Sequence, residues 1–143
     1  MLNQYDRILV AYDGSELSRK SLQQAIEVAR ENENTEIHVV SVVNPTGSPT
    51  NAVIQKNIIK ELKENTEKKM AEVKEEIKGL SNAVHTKVLE GAPGKALCKY
   101  ADDNDIQLIV MGSRGLGNIK EIFLGSVSHN VLKYAHCPVL IMK

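Results

Sequence analysis

The chain alternates between short apolar runs and segments in which apolar residues recur at helical spacing. The apolar runs lie at 7–12, 37–43, 84–89, 106–111 and 137–142. Nearly continuous runs of this length are typical of strands buried on both faces of a parallel sheet. The helical segments between them lie at about 16–31, 51–78, 93–101 and 125–134. This β-α-β-α-β-α-β-α-β order predicts a single α/β domain over residues 1–143, with helices on both faces of a mostly parallel five-stranded sheet.

Open parallel sheets bind their ligands beyond the carboxyl ends of the strands, where the strand order reverses. From the residues alone we expect the flavodoxin-like order 2-1-3-4-5 or a close relative, which places the crevice beside the first strand. Asp13 and Gly14 follow that strand, and a glycine-bearing loop from Gly112 to Asn118 follows the fourth. We therefore expect the functional site at this edge of the sheet.

The loop after the fourth strand has the features of a phosphate site. Glycines let backbone amides approach an anion without an intervening side chain. The loop leads to a helix that opens at Gly125 and Ser126, and the start of a helix offers unpaired N–H groups and partial positive charge. We expect Ser126 to cap this helix and Arg114 to add positive charge.

Asp13 complements such a site, because a carboxylate placed away from the phosphates is a natural acceptor for ribose hydroxyls. The two features together predict a nucleotide that extends from the first strand to the fourth. Its ribose would lie near Asp13 and its phosphates between Gly115 and Ser126. Asp13 also has a purely structural interpretation, since it could end the strand and cap the following helix.

Charge and composition exclude several other classes of protein. The 18 basic and 18 acidic residues cancel, and aromatic residues make up only 3% of the chain, which disfavours binding to nucleic acid. The sequence lacks the GxxxxGK[ST] motif of P-loop ATPases and the GxGxxG motif of dinucleotide-binding domains. A flavin carrier would share the topology, but its phosphate loop follows the first strand, where Asp13-Gly14-Ser15-Glu16 is short and acidic.

The spacing Gly112-x2-Gly115-x9-Gly125-Ser126 resembles the G-x2-G-x9-G-[S/T] signature of the nucleotide-binding universal stress proteins. The resemblance spans essentially the whole chain. It includes the opening strand that ends at Asp13, the stretch from Met111 to Gly115, the step Leu124-Gly125-Ser126-Val127 and the closing Cys137-Pro138-Val139-Leu140-Ile141. Ala11 and Tyr12 depart from the smaller or proline-containing forms at those positions.

This resemblance implies a three-layer α/β/α sandwich with a parallel sheet in the order 3-2-1-4-5. It also implies a binding site for ATP or AMP, with Mg²⁺ or Mn²⁺ carried on the phosphates. Asp13 would contact the ribose, Val42 would lie against the adenine, and the glycine segments would hold the phosphates. The full set of implied binding residues is Ala11, Tyr12, Asp13, Val42, Met111, Gly112, Ser113, Arg114, Gly115, Gly125, Ser126, Val127 and Ser128. A homodimer through the C-terminal strand, residues 138–142, is implied as well.

The cysteines and histidines do not suggest a metal or redox centre. Cys98 and Cys137 are far apart and form no CxxC pair, which favours a reducing, cytoplasmic setting. None of the four histidines has a Cys, an Asp or a second His at metal-ligand spacing. No signal peptide and no membrane-spanning run is evident in the sequence, and no membrane partner is expected.

Two other functions stay open alongside a dimeric nucleotide-binding regulatory module. The first is an enzyme, either a slow ATP hydrolase or a nucleotidyl-transfer catalyst, for which Lys120 and Glu121 are the nearest candidate residues. The second is an interaction protein in which the nucleotide site is vestigial. Such a protein would bind partners through residues 44–78, which include a long helix with one apolar stripe: Ile54, Ile58, Leu62, Thr66, Met70, Val73 and Ile77.

Overall fold

The computed structural model describes residues 5–44, 51–114 and 125–143. Its strands are β1 (Arg7–Ala11), β2 (Glu36–Val43), β3 (Val84–Glu90), β4 (Leu108–Gly112) and β5 (Val139–Met142). Its helices are α1 (Glu16–Arg30), α2 (Ala52–Glu76), α3 (Pro93–Asp103) and α4 (Ser126–Tyr134). The predicted alternation of strands and helices is therefore confirmed, and α2 is slightly shorter at both ends than the predicted 51–78.

The five strands form one parallel sheet in the order β3-β2-β1-β4-β5. This is the order implied by the family resemblance, and the order 2-1-3-4-5 suggested by the alternation alone is wrong. Alternation establishes that consecutive strands are parallel, but long-range pairing decides which strands become neighbours. From the centre of the sheet, β1, β2 and β3 follow one another toward one edge, and β4 and β5 follow one another toward the other edge. The strand order therefore reverses between β1 and β4.

Two apolar layers cover the sheet and complete the predicted three-layer sandwich. Ile8, Val10 and Val39 face α1 and α2, whereas Leu9, Val40 and Ile109 face α3 and α4. The central strands are almost entirely buried, because a parallel sheet is covered on both faces. None of the described helices is both long enough and apolar enough to cross a membrane.

The apolar stripe of α2 is buried only in the second half of the helix. Met70 and Val73 are in the core, as expected. Ile54, Ile58 and Leu62 are 44–52% exposed, although they continue the same stripe. The predicted apolar stripe is therefore buried at Met70 and Val73 and exposed at Ile54, Ile58 and Leu62.

Candidate functional site

A cleft of about 550 Å³ lies at the carboxyl edge of the sheet, where the strand order reverses. This volume is within the range of about 300–1,000 Å³ that small-molecule sites occupy. All helices that follow strands of a parallel sheet begin at this edge, so the first turns of α1, α3 and α4 meet here. The described residues that line the cleft are Ala11, Tyr12, Asp13, Ser15, Ser18, Val40, Val42, Pro93, Leu97, Met111, Gly112, Arg114, Gly125, Ser126, Val127 and Ser128.

Eleven of the thirteen residues expected at the site line this cleft. Ser113 does not line it, and the residue is only 4% exposed. Gly115 lies outside the described residues, as do Lys120 and Glu121. The structure thus brings the expected residues from β1, β2, β4 and α4 together around one cavity.

The turn after β1 places Asp13 at the mouth of the cleft. The Tyr12 amide donates to the Val40 carbonyl oxygen at 2.9 Å and extends the pairing of β1 with β2. The side chain of Tyr12 packs into the α1/α2 layer. The chain then turns at the next residues. Gly14 adopts φ +84°, a conformation that L side chains rarely take. Asp13 is exposed, and its Oδ1 accepts a hydrogen bond from the Ser15 amide at 2.9 Å.

Both interpretations of Asp13 are therefore compatible with its geometry. One carboxylate oxygen stabilises the turn into α1, as the structural interpretation requires. A carboxylate has a second oxygen with its own lone pairs, so Asp13 can also accept a hydrogen bond from a ligand hydroxyl. The following N-cap is Ser15, as expected, with Oγ accepting from the Ser18 amide at 3.2 Å.

Ser113 connects the end of β4 to the start of α4. Its carbonyl oxygen accepts a hydrogen bond from the Gly125 amide at 2.6 Å. The Ser128 hydroxyl lies 3.0 Å from the same carbonyl oxygen and 3.0 Å from that of Gly125. Because Ser128 is buried, these bonds are sheltered from water and hold the first turn of α4 against the sheet. Ser113 is thus a positioning residue behind the cleft wall.

The helix α4 begins without a side-chain cap. The N-cap is Gly125, which has no side chain to accept from the first-turn amides. The expectation that Ser126 caps this helix is wrong, because Ser126 is already the first helical residue. The first backbone amides of a helix have no partner within the helix. At α4 they belong to Ser126, Val127 and Ser128, all of which line the cleft.

Two glycines of the motif allow close packing within this part of the chain. A Cβ on Gly112 would lie 2.6 Å from the Cβ of Leu17 in α1, closer than real Cβ atoms approach. A Cβ on Gly125 would lie 3.3 Å from the Ser113 carbonyl oxygen. Gly112 and Gly125 therefore allow close packing against α1 and Ser113, as well as leaving room at the cleft.

The lining of the cleft combines apolar surface with charged groups. Val40, Val42, Leu97, Met111 and Val127 form apolar surface, which suits the faces of an aromatic base. Asp13 and Arg114 are exposed at the rim and have opposite charges. The cleft thus offers separate surfaces for an apolar ring, a hydroxyl-bearing group and an anion.

Sequence reasoning missed five lining residues: Ser15, Ser18, Val40, Pro93 and Leu97. Pro93 is the first residue of α3, and α3 follows β3, so its start lies at the same sheet edge. A search for every helix that begins at the carboxyl edge would have identified Pro93 and Leu97. Ser15 and Ser18 follow in the same way from the start of α1.

Comparison with known proteins gives a consistent family assignment. A model described as the universal stress protein family matches residues 4–143. Universal stress protein MJ0531 of Methanocaldococcus jannaschii is 36% identical over 144 aligned residues, which cover 99% of this chain and 84% of that protein.

Solved structures share the fold. The structure of protein MJ0577, also from Methanocaldococcus jannaschii, superposes with a TM-score of 0.89 at 29% identity, covering 97% of this chain and 96% of the other. A universal stress protein from Archaeoglobus fulgidus in complex with dAMP superposes with a TM-score of 0.65 at 24% identity, covering 97% and 98% of the two chains.

Proposed function

Because the chain belongs to the universal stress protein family, we propose that it binds an adenine nucleotide, ATP or AMP, in the cleft at the carboxyl edge of the sheet. The bound nucleotide would regulate a dimeric stress-response module in the cytoplasm. Both cysteines are free thiols, as suits a reducing compartment. The likeness to the dAMP-bound protein is a likeness of fold, so the proposal depends on the residues of this chain.

The observation that carries the proposal is the uncapped start of α4, which shares one cleft with Asp13. Unpaired first-turn amides and the positive end of the helix dipole favour an anion such as a phosphate. Asp13 would repel phosphates, but it suits the ribose hydroxyls. Val42 and the apolar wall would contact the adenine, and Gly112, Arg114 and Gly115 would complete the phosphate side.

The same residues fit a divalent cation carried by the nucleotide. Mg²⁺ and Mn²⁺ prefer oxygen ligands, and Mg²⁺ usually keeps several waters while it binds substrate phosphates. Asp13 is the one carboxylate among the described lining residues. The phosphates and water would therefore supply most of the ion's ligands. The cation would neutralise phosphate charge beside the start of α4.

We favour binding over catalysis at this cleft. Phosphoryl transfer needs positioned metal ions and a group that orients the nucleophile. The described lining residues include neither Lys nor His. The alternative of a slow ATP hydrolase is tested by phosphate release under single-turnover conditions. Release faster than in a protein-free control would establish hydrolysis.

The binding proposal predicts that ATP with Mg²⁺ stabilises the protein and that Ser126→Pro weakens this effect. At a ligand concentration of 100 times Kd, binding adds roughly 2.7 kcal/mol to the free energy of unfolding. Proline is well tolerated at the first helical position, but it removes the amide and the hydroxyl of Ser126. We expect Kd for ATP, measured by calorimetry, to rise roughly fivefold, which corresponds to about 1 kcal/mol.

Ala52→Pro is the matched control, because Ala52 is the first residue of α2 and does not line the cleft. This variant should bind ATP as the unchanged protein does. A protein that shows neither bound nucleotide nor thermal stabilisation at millimolar ATP would refute nucleotide binding. In that case partner binding that ignores ATP would favour the interaction protein with a vestigial site.

A further inference from the structure

Three metal-ligand side chains lie together at the amino end of β2 and β3. Glu36 and His38 are two residues apart on β2 and share one face of the sheet. His85 on β3 is the direct neighbour of His38 in the strand pairing. One ligand atom from each of the three residues lies within 4.8 Å of the other two. Spacing along the sequence hides this group, because the two histidines are 47 positions apart.

The three side chains are close but incompletely paired. The Nε2 atom of His85 lies 2.8 Å from Oε1 of Glu36. The Nε2 atom of His38 lies 4.0 Å from the same oxygen, which is too far for a hydrogen bond. The two imidazole rings have centroids 4.7 Å apart. Both Nε2 atoms are therefore directed toward one carboxylate.

His38 is the buried member of the group, and its Nε2 lacks a hydrogen-bond partner. The side chain is 9% exposed, and Nε2 is buried without a partner among the described residues. Its other ring nitrogen, Nδ1, lies 2.7 Å from the Tyr100 hydroxyl of α3. A buried polar atom without a partner costs free energy. A cation between His38 and Glu36 would remove that cost.

We propose that Glu36, His38 and His85 form a binding site for a divalent first-row transition-metal ion, with Zn²⁺ as the ion of reference. Two imidazoles and one carboxylate are a known ligand set for Zn²⁺, with a fourth position left to water or another small ligand. His85 and Glu36 are 50% and 34% exposed, so the ion has a path from solvent and room for that fourth ligand.

The geometry requires only small side-chain movements. Ligand atoms in a tetrahedral zinc site with bonds of about 2.0–2.1 Å are roughly 3.3 Å apart. The two histidine nitrogens lie 2.8 Å and 4.0 Å from Glu36 Oε1, on either side of this value, and no pair of ligand atoms is more than 4.8 Å apart. His85 is on an edge strand with an exposed side chain, so its ring can rotate. The Nδ1–H of His38 would donate to the Tyr100 hydroxyl oxygen and so orient the ring, as hydrogen bonds from the non-ligating nitrogen do in other metal sites.

A proton would compete with a metal ion for the Nε2 atom of His38. Burial, and then the neighbouring His85, lower the pKa of His38, while Glu36 opposes them. The positive charge of Arg7 also lowers this pKa. The Arg7 Nε donates a hydrogen bond to the Asp105 carbonyl oxygen at 3.0 Å. The neutral imidazole that burial favours is the form that binds metals.

The site is separate from the cleft. Val42 lines the cleft, and it lies four residues beyond His38 on β2, which corresponds to about 13 Å along the strand. Metal binding is therefore tested with the metal alone and without nucleotide. A failure of nucleotide binding would leave the result at this site unaffected.

The test is calorimetric titration of the full chain with ZnCl₂, together with the visible absorption of added Co²⁺. We expect one high-affinity ion per chain and the Co²⁺ absorption of a site with nitrogen ligands. His85→Ala and Glu36→Gln should each weaken binding at least tenfold. Both side chains are partly exposed, so these variants should fold, and their thermal melting without metal verifies this.

His136→Ala is the matched control. His136 pairs with Asp102 at 3.0 Å, so it is also a histidine beside a carboxylate, but it belongs to no group of three among the described residues. Its removal should leave Zn²⁺ affinity unchanged. Equal Zn²⁺ affinity in the unchanged protein and in His85→Ala would overturn the proposal, and so would an equal loss of affinity in His136→Ala.

Discussion

At the scale of single residues, Asp13 has a role in the fold and a second, proposed role in ligand binding. Its Oδ1 accepts from the Ser15 amide and stabilises the turn into α1. The same carboxylate is exposed at the mouth of the cleft. A substitution that removes the side chain would therefore change both the stability of the protein and its affinity for the ligand.

Asp13→Asn separates the two roles. Asparagine keeps an oxygen that can accept from Ser15, but it removes the negative charge that would strengthen hydrogen bonds from ribose hydroxyls. A hydrogen bond to a charged group contributes about 1.5–3 kcal/mol, so we expect roughly tenfold weaker binding of ATP by calorimetry. The substitution should leave the affinity for 2′,3′-dideoxy-ATP unchanged, because this nucleotide lacks both ribose hydroxyls. Equal losses for the two nucleotides would show that Asp13 does not contact the ribose.

At the scale of elements, the junction between β4 and α4 depends on close packing as much as on hydrogen bonds. The Gly125 amide and the Ser128 hydroxyl both reach the Ser113 carbonyl oxygen. On the other side, Gly112 lies against α1 without room for a side chain. The junction is therefore fixed from both sides, which places the first-turn amides of α4 in the cleft before any ligand arrives.

Gly112→Ala should destabilise the protein through this contact. The added Cβ would meet Leu17 Cβ at 2.6 Å, and neither atom can move without shifting α1 or β4. Overpacking of this kind typically costs about 1–3 kcal/mol, which urea denaturation can measure. Gly79→Ala is the control, because a Cβ there has no neighbour within 4 Å. Equal stability of the two variants would show that α1 can move away from β4 at little cost.

At the scale of the whole molecule, the strand order places β3 and β5 at the two edges of the sheet. The carbonyl oxygens of Pro138 and Met142 point toward β4 and accept hydrogen bonds from the amides of Ile109 and Ser113. Hydrogen-bonding direction alternates along a strand, so the amides of Val139 and Ile141 point outward. A second copy related by two-fold symmetry could pair with this edge, as isologous contacts require. We therefore propose that the chain dimerises through residues 138–142, with the amides of Val139 and Ile141 as hydrogen-bond donors.

Ile141→Pro tests dimerisation through this edge. Proline removes an outward amide, and edge strands tolerate it, so we expect a monomer by size exclusion with light scattering. Ile141→Ala is the control, since it loses the same side-chain packing against the α3/α4 layer but keeps the amide, and it should remain a dimer. An Ile141→Pro dimer as stable as that of the unchanged protein would exclude pairing through this strand.

The sequence alone determined the elements, the α/β class and the edge at which the cleft lies. These features follow from local information: apolar runs report burial on both faces, and parallel strands place their carboxyl ends together. The spacing of Gly112 and Gly125 likewise located one wall of the cleft. Even there, the cap of α4 was assigned to Ser126 instead of Gly125, because either residue type can cap a helix.

Only the tertiary structure decided which distant segments become neighbours. It has the order β3-β2-β1-β4-β5, which the family resemblance implied but the alternation alone did not, and it leaves the first half of the α2 stripe exposed. It also placed His85 beside His38 and Glu36. None of these results follows from periodicity, because periodicity records whether a residue is buried but not which part of the chain buries it. Strand pairing determines which segments become neighbours, because it depends on how the apolar faces of the whole sheet are covered.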